Sequence, residues 1–171
     1  QTCAHPILLL LAPVAGFLFN GLRFRSHNAL LAGSIATGAV AISFICGLTL
    51  FSQLLGLPES ERVLRIEYFN WLSIAGLNIP VAFTIDSLSI LMVLIITGVG
   101  SLIHLFSVGY MSHDATPSKY FAYLNLFVFN MLLLVLGSNL IMMFVGWEGV
   151  GLCSYRSEEH TSELQSPCNL V

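Results

Sequence analysis

An acidic side chain stands in the middle of an apolar stretch, NLIMMFVGWEGVGLCSY at 139–155. Counted from Asn139 at about 1.5 Å per residue, Glu148 lies roughly 13–14 Å along a helix, near the centre of a bilayer. A charge at that depth costs at least about 2.5–3.5 kcal/mol, so the carboxylate needs a partner group or a water-filled cavity. Gly146, Gly149 and Gly151 surround it, and small residues let neighbouring helices approach closely. A structural ion pair or a hydrogen-bonded neutral acid would meet the need. So would a proton-handling site, and this reading is favoured because ionisable groups inside membrane spans mark functional sites.

Two further residues could move protons. His104 sits well inside a second apolar stretch, where a neutral histidine with one hydrogen-bond partner and a proton relay are equally good readings. Asp86 stands just before that stretch. It is most simply a helix N-cap favoured by the helix dipole, and a role in a channel is the weaker alternative. Asn125 and Asn130 fall in another apolar span and read as amides bonding across to other helices. The four cysteines, Cys3, Cys46, Cys153 and Cys168, show no CxxC spacing and read as small hydrophobes, neither a disulfide framework nor a metal site.

The elements that must hold these groups are membrane helices. The 171 residues are 56% hydrophobic and only 9% charged, with a mean hydropathy of +0.86, too few charges for an ordinary soluble surface. Nothing is basic enough for nucleic acid. The expected fold is an all-α polytopic membrane protein with about five transmembrane helices, at 6–22, 29–55, 86–110, 119–136 and 139–155. Pro13 should bend the first, and the small residues of the second suit packing among helices. Between the second and third, Pro58 and the charges Glu59, Glu61, Arg62, Arg65 and Glu67 place the chain outside the hydrocarbon. There 63–83 is rich in β-branched and aromatic residues around Ala75-Gly76, which predicts a short β-hairpin on the membrane surface, with Tyr68, Phe69 and Trp71 at the interface. Loops 23–28 and 111–119 share one side and hold three Lys/Arg against two in the hairpin loop, which puts the former in the cytoplasm or matrix. The chain opens at Gln1 without methionine and without a basic n-region, as a piece of a longer protein would, not as a signal peptide.

After Tyr155 the composition turns polar within one residue. RSEEHTSELQSPCNLV at 156–171 lacks helical apolar periodicity and reads as a disordered, solvated tail. RSEEHTSELQS also resembles the in-frame translation of a widely used sequencing-library adapter, and the closing NLV fits the constant segment after a short index. On that reading the tail is an artefact without biology.

Four stretches carry a resemblance: DSLS at 86–89, GVGSLIHLFSVGYM at 98–111, KYFAYLNLF at 119–127 and, most specifically, the run around Glu148. Together they resemble the subunit L (subunit 5) family of NADH-quinone oxidoreductase, respiratory complex I, over about 1–155. The resemblance implies an antiporter-like, proton-translocating subunit located at the distal end of a membrane arm. Its partners would be the other membrane-arm subunits, protons and the lipid bilayer of a bacterial inner membrane or a mitochondrial inner membrane. The complex would be a translocase coupling NADH:quinone electron transfer to proton pumping. NADH, FMN, iron–sulfur clusters and quinone would sit on other subunits, leaving no cofactor or metal in this chain. In the family the glutamate matching Glu148 pairs with a lysine on a later helix. Burial favours the neutral form of a carboxylate and a nearby cation the charged form, so moving the cation switches proton affinity. That lysine would lie beyond Tyr155, and the piece alone should not pump.

Two rivals stay open. The corresponding component of a multisubunit sodium/proton antiporter shares the ancestral fold and a similar glutamate helix. A non-catalytic membrane scaffold, with Glu148 locking helix packing, is the other.

Overall fold

The computed structural model of the chain describes residues 4–23, 28–58, 62–74, 77–111 and 116–162. The elements run α1 (Ala4–Leu22), α2 (Ala29–Leu55), β1 (Leu64–Ile74), β2 (Leu77–Ile85), α3 (Ser87–Tyr110), α4 (Pro117–Leu136) and α5 (Leu140–Ser162). Local chemistry sets the ends. The Asn28 side chain accepts from Leu31 N–H and opens α2, while Asp86 and Ser89 form a reciprocal capping box that opens α3. Pro117, in the first turn of α4, needs no N–H there, and so α4 starts two residues before the expected 119. Helix α1 runs on through Pro13.

Among the described residues four helices are long and apolar enough to cross a membrane: α1 over His5–Leu22, then α2, α3 and α4. The fifth expected span falls short of that. Its apolar part, Leu140–Tyr155, is under the ~17 residues a crossing helix needs. The backbone nevertheless stays helical to Ser162, past the expected end at Tyr155. Arg and Glu are good helix formers, so the polar composition removes the membrane-grade character without removing the helix. Of the expected disordered tail at 156–171, the described part to Ser162 is helical, and residues 163–171 lie outside the described residues.

Helix α4 is the hub: α1, α2, α3 and α5 all pack on it, and α5 packs chiefly there. The core gathers Leu9, Val40, Leu50, Val93 and Leu132, all at most 1% exposed. On α2, Ala32, Ala36 and Ala39 are buried, and a Cβ at Gly33 would stand 2.5 Å from Val108 Cγ2, so small side chains set the helix separation. The outer faces carry large apolar side chains instead of charges, with Leu30, Phe106 and Leu140 more than two-thirds exposed. Such a surface suits lipid.

Strands β1 and β2 pair antiparallel, with Ile66 opposite Phe83 and Asn70 opposite Pro80, and the register shifts twice along β1. The ion pair Arg65–Glu67, 3.7 Å apart, is exposed and contributes little. Tyr68, Phe69 and Trp71 are exposed on β1. The hairpin is also tied to the helices. Phe83 bridges to Gly137, Ser138 N–H donates to Ala82 C=O at 3.1 Å, and Asn139 Nδ2 donates to Pro80 C=O at 2.8 Å. Strand β2 is thereby stitched to the α4–α5 turn.

Candidate functional site

Glu148 is displayed by a tight contact between α4 and α5. At 3.6 residues per turn, Met142, Gly146, Gly149 and Cys153 line one face of α5, and this face packs on α4. A Cβ at Gly146 would stand 2.7 Å from Leu134 N, and one at Gly149 would collide with the Asn130 side chain. Asn130 Nδ2 donates to Leu126 C=O at 2.9 Å and reaches Cys153 Sγ at 3.8 Å. Asn139 fixes the start of α5: its Oδ1 accepts from Met142 N–H at 2.9 Å while its Nδ2 holds β2. Glu148 is one residue from Gly149, turned about 100° off the packed face. Its side chain is exposed, flanked by exposed Trp147 and Leu152, and enters no ion pair among the described residues. It does not point at α4.

His104 occupies the opposite situation. It is fully buried, its ring 6.5 Å from that of Phe121 and near the Asn125 amide. Its Nδ1 lies 2.7 Å from Gly100 C=O, so Nδ1 carries the hydrogen, and in the neutral ring Nε2 is the acceptor. Nε2 makes no well-formed hydrogen bond among the described residues, although the Asn125 side chain interacts with the ring. Asn125, expected to bond across helices, interacts with the His104 ring of α3 without a well-formed hydrogen bond; its Nδ2 lies against Gly16 of α1, where a Cβ would come within 2.5 Å. Asn130 bonds within its own helix, apart from the weak contact to the Cys153 sulfur.

Asp86 caps α3: its Oδ1 accepts from Ser89 N–H at 2.7 Å, and Ser89 Oγ accepts from Asp86 N–H at 2.8 Å. The Ser89 N–H holds the carboxyl below the usual carboxylate range. The same carboxylate borders a cavity of about 250 Å³ with Thr84, Ser89, Met92, Val135 and Gly137, at the end of the bundle that carries the hairpin. Asp86 is thus a partly exposed cap at the edge of this cavity. Cys46 and Cys153 are buried, as small hydrophobes would be.

The three sequence-flagged residues are not brought together. Asp86 and His104 are 18 positions apart on α3, roughly 27 Å along the axis. Glu148 sits on α5, beyond α4 from the buried His104. Two residues escaped the sequence reading. Asn20, 1% exposed, donates to Ala32 C=O at 3.2 Å, and a lone amide in the last turn of an apolar helix was the available signal. Asn139, which ties the hairpin to α5, carried no signal, because its acceptor is 59 residues away in the chain.

Four apolar helices around buried neutral polar groups, with a carboxylate set in a fifth, define an integral helical membrane protein. Residues 71–121 match the family model described as NADH-ubiquinone oxidoreductase (complex I), chain 5 N-terminus. The chain is 43% identical over 151 residues to NADH-quinone oxidoreductase subunit L of Mycobacterium tuberculosis, covering 86% of this chain and 23% of that protein. It is 36% identical over 153 residues to subunit L of Escherichia coli (86% and 24%), and 36% over 147 residues to NADH-ubiquinone oxidoreductase chain 5 of Hypocrea jecorina (86% and 21%). The chain belongs to the subunit L/chain 5 family of NADH-quinone oxidoreductase and spans less than a quarter of the length of these relatives.

Proposed function

We propose that the chain is part of a proton-translocating membrane-arm subunit of an NADH:quinone oxidoreductase, a translocase, and that Glu148 binds and releases the proton. The observation that carries this is the position of Glu148: a carboxylate in the apolar part of α5, turned away from the α4 contact by two glycines that admit no side chain. Lipid offers it neither water nor a counter-ion, so its free side must meet protein or water. A cation on an adjoining helix of the whole subunit is the fitting partner, and its approach or withdrawal would switch the proton on Glu148.

His104 is a candidate relay in the same subunit. Asp86, at the water side of α3, is the weaker one. The redox groups, FMN, iron–sulfur clusters and quinone, belong to partner subunits, and the membrane is the bacterial inner or mitochondrial inner membrane. The test is Glu148→Gln in the full-length subunit within the assembled complex, with proton uptake into vesicles normalised to complex content. Pumping falls strongly and assembly stays near normal, while Glu148→Asp keeps part of the activity. Unchanged pumping in Glu148→Gln would leave Glu148 a packing residue.

A further inference from the structure

The bundle contains a second polar locus that owes nothing to Glu148. His104, Asn125 and Asn20 are buried to within 1% of full enclosure, and four of their polar atoms make no well-formed hydrogen bond among the described residues: His104 Nε2, Asn125 Nδ2 and Oδ1, and Asn20 Oδ1. Shared contacts link them. The Asn125 amide is near His104 on one side and lies on Gly16 on the other, and Asn20 is one turn further along α1 from Gly16. By helix rise, His104 is roughly 9 Å from the end of α3, Asn125 roughly 12 Å from the start of α4, and Asn20 roughly 3 Å from the end of α1. All three therefore lie in the half of the bundle away from the hairpin. One turn closer to that end, Ser107 Oγ and Tyr120 Oη are 3.2 Å apart and continue the polar row.

The donors and acceptors are not paired with one another in the fold. With His104 Nδ1–H committed to Gly100 C=O, Nε2 of the neutral ring can only accept, as can Asn20 Oδ1 and Asn125 Oδ1. The uncommitted donors are the two Asn125 amide hydrogens, the Asn20 amide hydrogen not given to Ala32 C=O, and the hydroxyl of Thr37 on α2, whose Oγ1 is also buried without a hydrogen bond. None of these makes a well-formed hydrogen bond to those acceptors, and the N–H groups of the surrounding helices are spent on backbone bonds. Buried polar groups do not stay unpaired, and the species that both donates and accepts at any angle is water. We propose that the α1–α3–α4 contact holds a buried water site lined by His104, Asn125 and Asn20 and reached from the α3–α4 end past Ser107 and Tyr120. The site is separate from Glu148, since α5 packs on another face of α4. It stands whether or not Glu148 carries protons.

Radiolytic labelling of the full chain in lipid nanodiscs, in heavy-oxygen water, tests this, because bound water delivers oxygen to adjacent buried side chains. After correction for intrinsic reactivity, His104 and Phe121 take up oxygen several-fold faster than the equally buried Leu9 and Leu132. Asn125→Leu removes the amide at similar volume and brings their uptake down to the Leu132 level, with helical content by circular dichroism unchanged. Asn20→Leu, in a different helix, lowers it as well and guards against a folding failure of the first variant. Uptake at His104 and Phe121 no faster than at Leu132 in the unmodified chain means a dry contact and overturns the site. So does unchanged uptake in both variants.

Discussion

Helix α4 shows two opposite ways of placing polar chemistry inside an apolar bundle. On its α1/α3 side, neutral groups (Asn125, His104 and, across α1, Asn20) are fully enclosed. On its α5 side, the ionisable Glu148 is held at the surface of the described bundle, and the enclosed partner is an amide, Asn130, whose donor is spent on its own helix. The difference follows charge. A neutral amide or imidazole can be buried if a water or a backbone carbonyl serves it, whereas an enclosed carboxylate needs a cation beside it. The described bundle brings none to α5.

The largest expected effect separates the two sides by function. Glu148→Gln should lower proton flux by the assembled complex by on the order of a hundredfold, the low end for a positioned acid–base group. His104→Gln should cost less, because it keeps a hydrogen-bonding side chain in a site whose main occupant is neutral. An equal loss in both variants would erase the contrast.

Packing gives the next contrast. Gly146 abuts the Leu134 backbone, which cannot rotate away, so Gly146→Val should destabilise by about 1–3 kcal/mol or more. Gly149 abuts the Asn130 side chain, which can be removed. Gly149→Ala should therefore be milder and be largely rescued by Asn130→Ala, a coupling that a double-mutant cycle of unfolding midpoints measures. Absence of rescue would mean that the contact is set by backbone on both sides.

The two asparagines sharpen the comparison further. Asn130→Leu loses the bond to Leu126 C=O and crowds Gly149, and should destabilise by about 1 kcal/mol or more. Asn125→Leu removes an amide that makes no well-formed hydrogen bond to protein, and should be close to neutral in thermal unfolding.

A modest effect belongs to the N-terminal end of α3. Asp86→Ala should cost about 1 kcal/mol through loss of the cap. Because the folded Asp86 carboxyl titrates below its unfolded value, its contribution is fully present above the unfolded value, about 3.9, and is lost as pH falls through the folded one. Thermal midpoints of the parent and Asp86→Asn should converge as pH drops through that window. Parallel curves would show that the charge contributes nothing.

Much of this was legible in the residues themselves. Long apolar runs broken by Pro58 and its neighbouring charges locate the helices and the hairpin, because hydrocarbon and water select composition before any tertiary contact forms. Asp86 reads as a cap because it stands just before an apolar span, where a carboxylate meets the helix dipole; the reciprocal box with Ser89 came with the structure. Glu148 stands out as a carboxylate in a span where charge is expensive. What composition could not supply was the end of α5. A polar run after Tyr155 signals exit from hydrocarbon, yet helix formation depends on backbone propensity, which Arg and Glu satisfy.

The sequence by itself determined which segments prefer lipid and which residues are chemically costly there, because both depend on side-chain transfer between water and hydrocarbon. The tertiary structure alone decided which way each costly group turns and what it meets. That Asn125 faces His104 and Gly16, that Asn139 reaches back to Pro80, and that Glu148 turns off the α4 face all depend on helix rotation and contact between segments remote in the chain. Rotation is set by the fit of small residues, Gly16, Gly146 and Gly149, against neighbours that no local pattern names.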